Sequence, residues 1–415
     1  MSRGARGAAT ALALLLCGAL TLSPGDAAAA GAAPGADPVS LPALTQRLSD
    51  DTCLKASART VTQVPWAQAR LRPDMVWPLS EGAGVTVAVV GSGVDDAAGL
   101  LGDRLKRAPR QFDGGPARDC AGHGTFTAGL IAAARTPGVG FAGIAPRARI
   151  LDVPVTDRRG NTTPDLLAKG IRVAVDGGAR VVVTVAVAGT DSPALSAAVR
   201  YAVSRGSVVI APASPDGADG TVAYPAAHPQ VVSVLGTGPG GASRRQDSRS
   251  RVDLTAPGEA VTGPGPGGRG KFTASGASYA AALVAGTAAL VLGYHPELSA
   301  EALVQRLRAT TSGPGGRVPD PVRGFGPVDP VAAVTAVLPE ERREEASGSA
   351  RAPVPGVTMP PGPGPSAAGP AWWVSAGSLA VLAAVAGAAA VVPRGRRRRW
   401  RPGGYQAPAP ERKPG

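Results

Sequence analysis

The sequence is poor in the side chains that build metal centres. Its 415 residues hold three histidines, three cysteines and a single asparagine, Asn161. The histidines do not cluster and the cysteines are far apart, so no zinc pattern exists. No calcium loop and no internal repeat can be recognised, and neither a metal nor a cofactor is expected. Lysine is scarce beside arginine, which with the lone asparagine reads as the codon bias of a GC-rich genome. The net charge of +13 owes much to one block, Arg394 and Arg396–Arg399, at the foot of an apolar run. Basic residues there are what a membrane stop signal needs, so no nucleic-acid partner is expected.

What is present at the two ends sorts the chain into compartments. Arg3 and Arg6 precede an apolar run, Ala8 to Leu22, and an Ala-rich segment around Asp26–Ala30. That order marks residues 1–30 as a secretory signal peptide. Cys17 would leave with it. Ala371 to Val392 is uncharged and opens on Trp372 and Trp373. About 20 such residues cross a bilayer, and tryptophan favours its interface. The expected layout is an extension over 31–77, a folded domain over 78–339, a Pro/Gly-rich linker over 340–370, a transmembrane helix over 371–392 and a basic cytoplasmic tail over 393–415. The folded domain would lie outside the cell membrane. Cys53 and Cys120 remain, an even number in an oxidising compartment, and predict one disulfide. That bond would make the extension a fixed arm rather than a removable propeptide.

Within the domain, short apolar runs alternate with helical patterns. The strands are expected at Val85–Val90, Ile150–Val155, Val181–Val187, Val208–Ala211 and Val231–Leu235. Helical spacing covers Gly124–Ala134, Pro164–Asp176, Ser192–Arg205, Ser278–Gly293 and Ser299–Thr310. Strands that are apolar throughout, separated by helices, predict a mostly parallel sheet covered on both faces: a three-layer α/β fold.

Three glycine-flanked spots stand at strand or helix ends: Gly91-Ser92-Gly93, Gly122-His123-Gly124-Thr125 and Gly276-Ala277-Ser278. A serine at a helix start lies at the positive end of the dipole, where a backbone N–H can hold a developing oxyanion. An acid, histidine, serine order is that of subtilisin-type hydrolases. On these residues the chain resembles the subtilases and, among them, the mycosins of type VII secretion systems. The resemblance is carried by Pro65-Trp66-Ala67-Gln68, Asp119-Cys120-Ala121-Gly122-His123-Gly124-Thr125, Tyr224-Pro225-Ala226-Ala227, Asp253-Leu254-Thr255-Ala256-Pro257-Gly258, Gly276-Ala277-Ser278-Tyr279-Ala280-Ala281 and Gly324-Phe325-Gly326-Pro327-Val328-Asp329. It implies a subtilisin-like fold, His123 as general base and Ser278 as nucleophile, and a place beside a type VII secretion membrane complex.

Two departures from the family pattern bear on catalysis. The family's aspartate slot, ahead of Ser92 and Gly93, holds Gly91. An aspartate there fixes the imidazole's tautomer and steadies the imidazolium, which glycine cannot do. Asp95 and Asp96 are the nearby candidates to substitute for it. Ser214 stands where the family supplies an oxyanion-hole asparagine, and Asn161 lies elsewhere in the chain. Two functions stay open: a catalytically impaired, mycosin-like subunit, or a serine endopeptidase with a substitute acid that acts on a protein substrate from the secreted or envelope pool.

Overall fold

A computed structural model describes residues 40–339, apart from 46, 51, 112–117, 217–220, 243–249 and 314–318, together with Val385. Signal peptide, linker and cytoplasmic tail as expected above lie outside the described residues, as does the membrane span apart from Val385.

Among the described residues ten strands follow in chain order: β1 (Thr86–Gly91), β2 (Leu105–Arg107), β3 (Arg149–Pro154), β4 (Val181–Thr184), β5 (Val208–Pro212), β6 (Val232–Thr237), β7 (Leu254–Pro257), β8 (Val261–Pro264), β9 (Lys271–Ala274) and β10 (Gly326–Pro327). Eight of them form one sheet in the order β10-β7-β6-β5-β4-β1-β3-β2. Every pairing in that sheet is parallel, and β8 and β9 form a separate antiparallel hairpin. The helices are α1 (Trp66–Leu71), α2 (His123–Ala132), α3 (Pro164–Asp176), α4 (Pro193–Ser204), α5 (Ala277–Tyr294), α6 (Ala300–Ala309) and α7 (Pro330–Thr335).

The all-apolar strands have a simple cause. Side chains alternate across a strand, and this sheet has a core on each face. Val87, Val89, Val181, Val183, Val208 and Ile210 enter one core with Phe126 of α2 and Leu283 and Leu290 of α5. Ala88, Val90, Val182, Val209 and Ala211 enter the other with Ile171 of α3 and Val199 of α4. Both halves of the period are therefore hydrophobic. Helices start where the sequence offers a cap: Thr163, Ser192, Ser299 and Asp329 each accept an N–H from the first turn.

The 18-residue α5 is apolar enough to cross a bilayer, yet it is 89% buried inside the domain. It is the central core helix. The membrane span expected at 371–392 is a different segment.

The extension lies against the domain. Ala43 bridges Thr273 in parallel, Leu44 N–H donates to the Thr273 carbonyl (2.8 Å), and Thr273 N–H donates to Pro42 (3.0 Å). Further along, Leu54 N–H donates to the Cys120 carbonyl (2.9 Å), Lys271 N–H to Arg59 (2.8 Å) and Gly140 N–H to Val61 (3.0 Å). Cys53 and Cys120 are joined in a disulfide.

The expected strands and long helices fall within a few residues of those observed. The run Val181–Val187 is the main difference: the strand stops at Thr184, and Val185–Val187 turn into the cleft described below. The β8–β9 hairpin was not expected, because its turn, Gly265 to Gly270, is dominated by glycine and its strands are only four residues each.

Candidate active site

A parallel sheet gathers the carboxyl ends of its strands on one edge, where α/β proteins commonly place their sites. The carboxyl ends of β1, β4 and β5 meet there the first turns of α2 and α5. His123 is the first residue of α2, and Ser278 the second of α5. The two helices pack together, and His123 Nε2 comes to 2.7 Å from Ser278 Oγ. Both are buried, His123 at 8% exposure and Ser278 at 0%. The Tyr279 ring meets the imidazole edge-on, with centroids 5.2 Å apart. Burial, reinforced by the charges of Asp216 and Asp119, pushes the Tyr279 phenol well above its usual range, so it stays neutral.

Val185, across from the end of β1, lines the same cleft as His123. Gly91 ends β1, and the next rung of the β1–β4 ladder brings Val185 opposite it. A Cβ built on Gly91 would overlap Cγ2 of Val185. The valine side chain, itself 3% exposed, thus fills the space that an aspartate would need.

Among the described residues no carboxylate bonds the imidazole through Nδ1. Asp95 accepts N–H bonds from Ala97 (3.0 Å) and Gly267 (3.0 Å). Asp96 accepts from Leu100 (2.8 Å), Leu101 (3.1 Å) and Gly102 (2.8 Å). Both are turn carboxylates that tie down backbone, and neither pairs with His123. Asp119 is consumed in the same way: Oδ1 accepts from Gly122 N–H (2.8 Å), Oδ2 from Thr125 N–H (2.9 Å) and its hydroxyl (2.7 Å). All of the imidazole's polar contacts are made through Nε2, and among the described residues Nδ1 has no hydrogen-bond partner.

The serine side departs from expectation too. Ser214 is buried at 5% exposure, but its hydroxyl makes no bond to Ser278 or His123. Two residues on, Asp216 does. Its Oδ2 accepts the Ser278 hydroxyl and lies 3.4 Å from His123 Nε2. Its Oδ1 accepts the Ser278 N–H at 3.2 Å. The Asp216 side chain is 6% exposed. Asn161 belongs to a separate turn, where its amide donates to Asp157 (2.9 Å).

The chemistry follows from proton counting. Ser278 Oγ carries one hydrogen, which it gives to Asp216. With that hydrogen given away, Nε2 bonds the same oxygen as a donor, in the tautomer that carries its proton on Nε2. The cleft around these groups is lined by Arg47 of the extension, Ser92, Thr156, Gly160, Val185–Val187 and Pro215. Among the described residues no group of three or more acidic, histidine or cysteine side chains could hold a metal ion.

One buried carboxyl close to Asp119 matters for stability. Asp152, on β3 and 4% exposed, is pushed up to about 7 by burial, with the charge of Asp119 adding to the shift. The Val94 N–H and the charge of Arg107 oppose this only in part, and Oδ1 has no partner among the described residues. Between the ordinary carboxyl range and about pH 7 the native state holds a proton that the unfolded chain has lost. Asp152 therefore supports the fold at low pH, and that support is lost as pH rises toward 7. Asp152→Asn should raise stability by roughly 4 kcal/mol at pH 8 and change it little at pH 4. Urea melts at both pH values measure this; equal effects at the two would refute the assignment.

His123 and Ser278 were legible in the sequence, and the structure brings them together. Val185, Asp216 and the supporting ring of Tyr279 were not singled out by role. A serine at the start of a buried helix, within reach of a histidine at the start of another on a parallel sheet, defines the site class: a subtilisin-type serine hydrolase scaffold. Residues 82–328 match the Subtilase family model, and the chain belongs to that family. It is 32% identical over 361 residues to Mycosin-1 of Mycolicibacterium smegmatis, covering 72% of this chain and 79% of the relative. It is 33% identical over 397 residues to Mycosin-3 of Mycobacterium tuberculosis, covering 80% and 84%. Among solved structures it resembles the serine protease MycP1, described as an essential component of the type VII (ESX-1) secretion system: TM-score 0.57, 30% identity, covering 72% of this chain and all of that one. MycP3 protease from the type VII (ESX-3) system gives a TM-score of 0.56 at 30% identity, with 73% and 99% covered.

Proposed function

We propose that this chain is a mycosin-like subunit of a type VII secretion system whose proteolytic power is largely lost, and that it acts there as a folded, docked component. The observation that carries this reading is the Val185 side chain in the acid slot at Gly91. Solvent in the cleft cannot hold the imidazole as an acid would, and the packed isopropyl group leaves no room for a carboxylate on position 91. In subtilisin, loss of the acid alone lowers turnover on the order of 10⁴-fold. The similarity to mycosins of type VII systems supports the partner. The apolar run at 371–392 and its arginines support a single membrane anchor with the domain outside.

The rival is a working serine endopeptidase, favoured by the 2.7 Å approach of His123 to Ser278. A fluorophosphonate reagent on the purified chain separates the two. Labelling of Ser278 should be slower than that of subtilisin by on the order of 10³-fold or more. Labelling at a subtilisin-like rate that disappears in His123→Ala would establish the rival instead.

A further inference from the structure

The carboxylate of Asp216 stands where an acyl-transfer site keeps its anion. In such a site a backbone N–H at a helix start, here that of Ser278, receives the negative oxygen of the tetrahedral intermediate. Here that N–H already has an anionic oxygen, Oδ1 of Asp216, at 3.2 Å. Three further observations make this a built contact. The second oxygen of the same group takes the Ser278 hydroxyl. The side chain is nine-tenths buried, at 6% exposure. A Cβ on Gly276 would overlap the Asp216 carboxylate, so the missing side chain at Gly276 is what lets the group lie there. The setting also favours a negative charge, because α5 runs 18 residues and points its N-terminus at it.

We propose that Asp216 is an internal anion that occupies the oxyanion position of Ser278, so that any acyl substrate or tetrahedral anionic ligand must first displace it. The inference rests on reading the domain as an impaired subtilase and adds a second, separable cause to the missing acid. Gly91 removes what would orient the imidazole. Asp216 removes both the serine's availability and the anion's binding place.

A boronic acid reads the second cause without depending on turnover. When phenylboronic acid binds Ser278, Oγ forms a bond to boron and its proton leaves to solvent, because His123 Nε2 already carries one. The boron becomes tetrahedral and anionic, with a hydroxyl oxygen directed at the Ser278 N–H. In the wild-type chain that oxygen must compete with Asp216. Asp216→Asn keeps the shape and replaces the anion by an amide that can donate. Its dissociation constant for phenylboronic acid, followed by ¹¹B NMR, should fall by tenfold or more, with the tetrahedral signal lost in Ser278→Ala. Asp216→Ala, which removes the group altogether, should also bind more tightly than wild type. Equal or weaker binding by both variants, with melting curves like wild type, overturns the proposal. The wild-type fluorophosphonate rate tests the impaired-enzyme reading, whereas the variant-to-wild-type affinity ratio tests the blocking role, so each can fail alone.

Discussion

Gly91→Asp, made alone, should damage the fold and restore no hydrolysis. The new Cβ would overlap Val185 Cγ2 in a region where both residues are buried. Overpacking of this kind costs about 1–3 kcal/mol, and a carboxylate forced into the same space adds a desolvation cost. For a domain of this size the melting temperature should fall by several degrees or more, at about 2–4 °C per kcal/mol. The informative variant is Gly91→Asp with Val185→Ala. Cβ of Val185 lies 3.6 Å from the built Cβ, an ordinary contact, so only the valine's methyl needs to go. The pair should melt nearer to wild type than Gly91→Asp does. It should also raise fluorophosphonate labelling of Ser278 on the order of 10²-fold, less than the acid's full worth because Asp216 still holds the serine. A pair that is stably folded but labels no faster than wild type would show that the slot is not where the acid acts.

The same pair of residues shows where sequence reading stops. The valine run from Val181 was legible as a strand because its composition is apolar on both faces, and the parallel sheet followed. Knowing that Val185 opposes Gly91 needs the register of β1 against β4, which places Val90 beside Thr184. Composition carries no register when both faces of a strand are hydrophobic, since a slip by one residue leaves the pattern unchanged. Asp216 was hidden for another reason. It lies past the end of β5, after Pro215, where a turn and not a periodic element sets the direction of the side chain. Asp95 and Asp96 looked eligible because they are close in sequence to the slot. Their backbone bonds show the usual fate of aspartates at the start of a loop, which is to satisfy nearby N–H groups. His123 and Ser278 could be read directly because glycine-flanked residues at helix starts leave a local mark that no tertiary contact needs to explain.

Reducing the Cys53–Cys120 bond should destabilise the domain strongly. The bond closes a loop with a sequence separation of 67. Chain-entropy arithmetic for such a loop gives about 4 kcal/mol, in the upper part of what disulfides contribute. The bond is also placed where the loss propagates. Leu54, next to Cys53, donates to the Cys120 carbonyl at 2.9 Å, and Asp119, next to Cys120, holds the N–H groups of Gly122 and Thr125 around His123. A Cys53→Ser, Cys120→Ser variant should therefore lose roughly 8 °C or more in melting temperature. The backbone bonds at Leu44, Val61 and Lys271 tie the extension down at other points, so it should detach first near residue 53 and then along its length. Limited proteolysis would detect this as cleavage between Thr52 and Val64 in the variant and not in the oxidised wild type. If the serine pair melts with wild type and resists the protease equally, the backbone bonds alone hold the arm, and the disulfide is dispensable to the site.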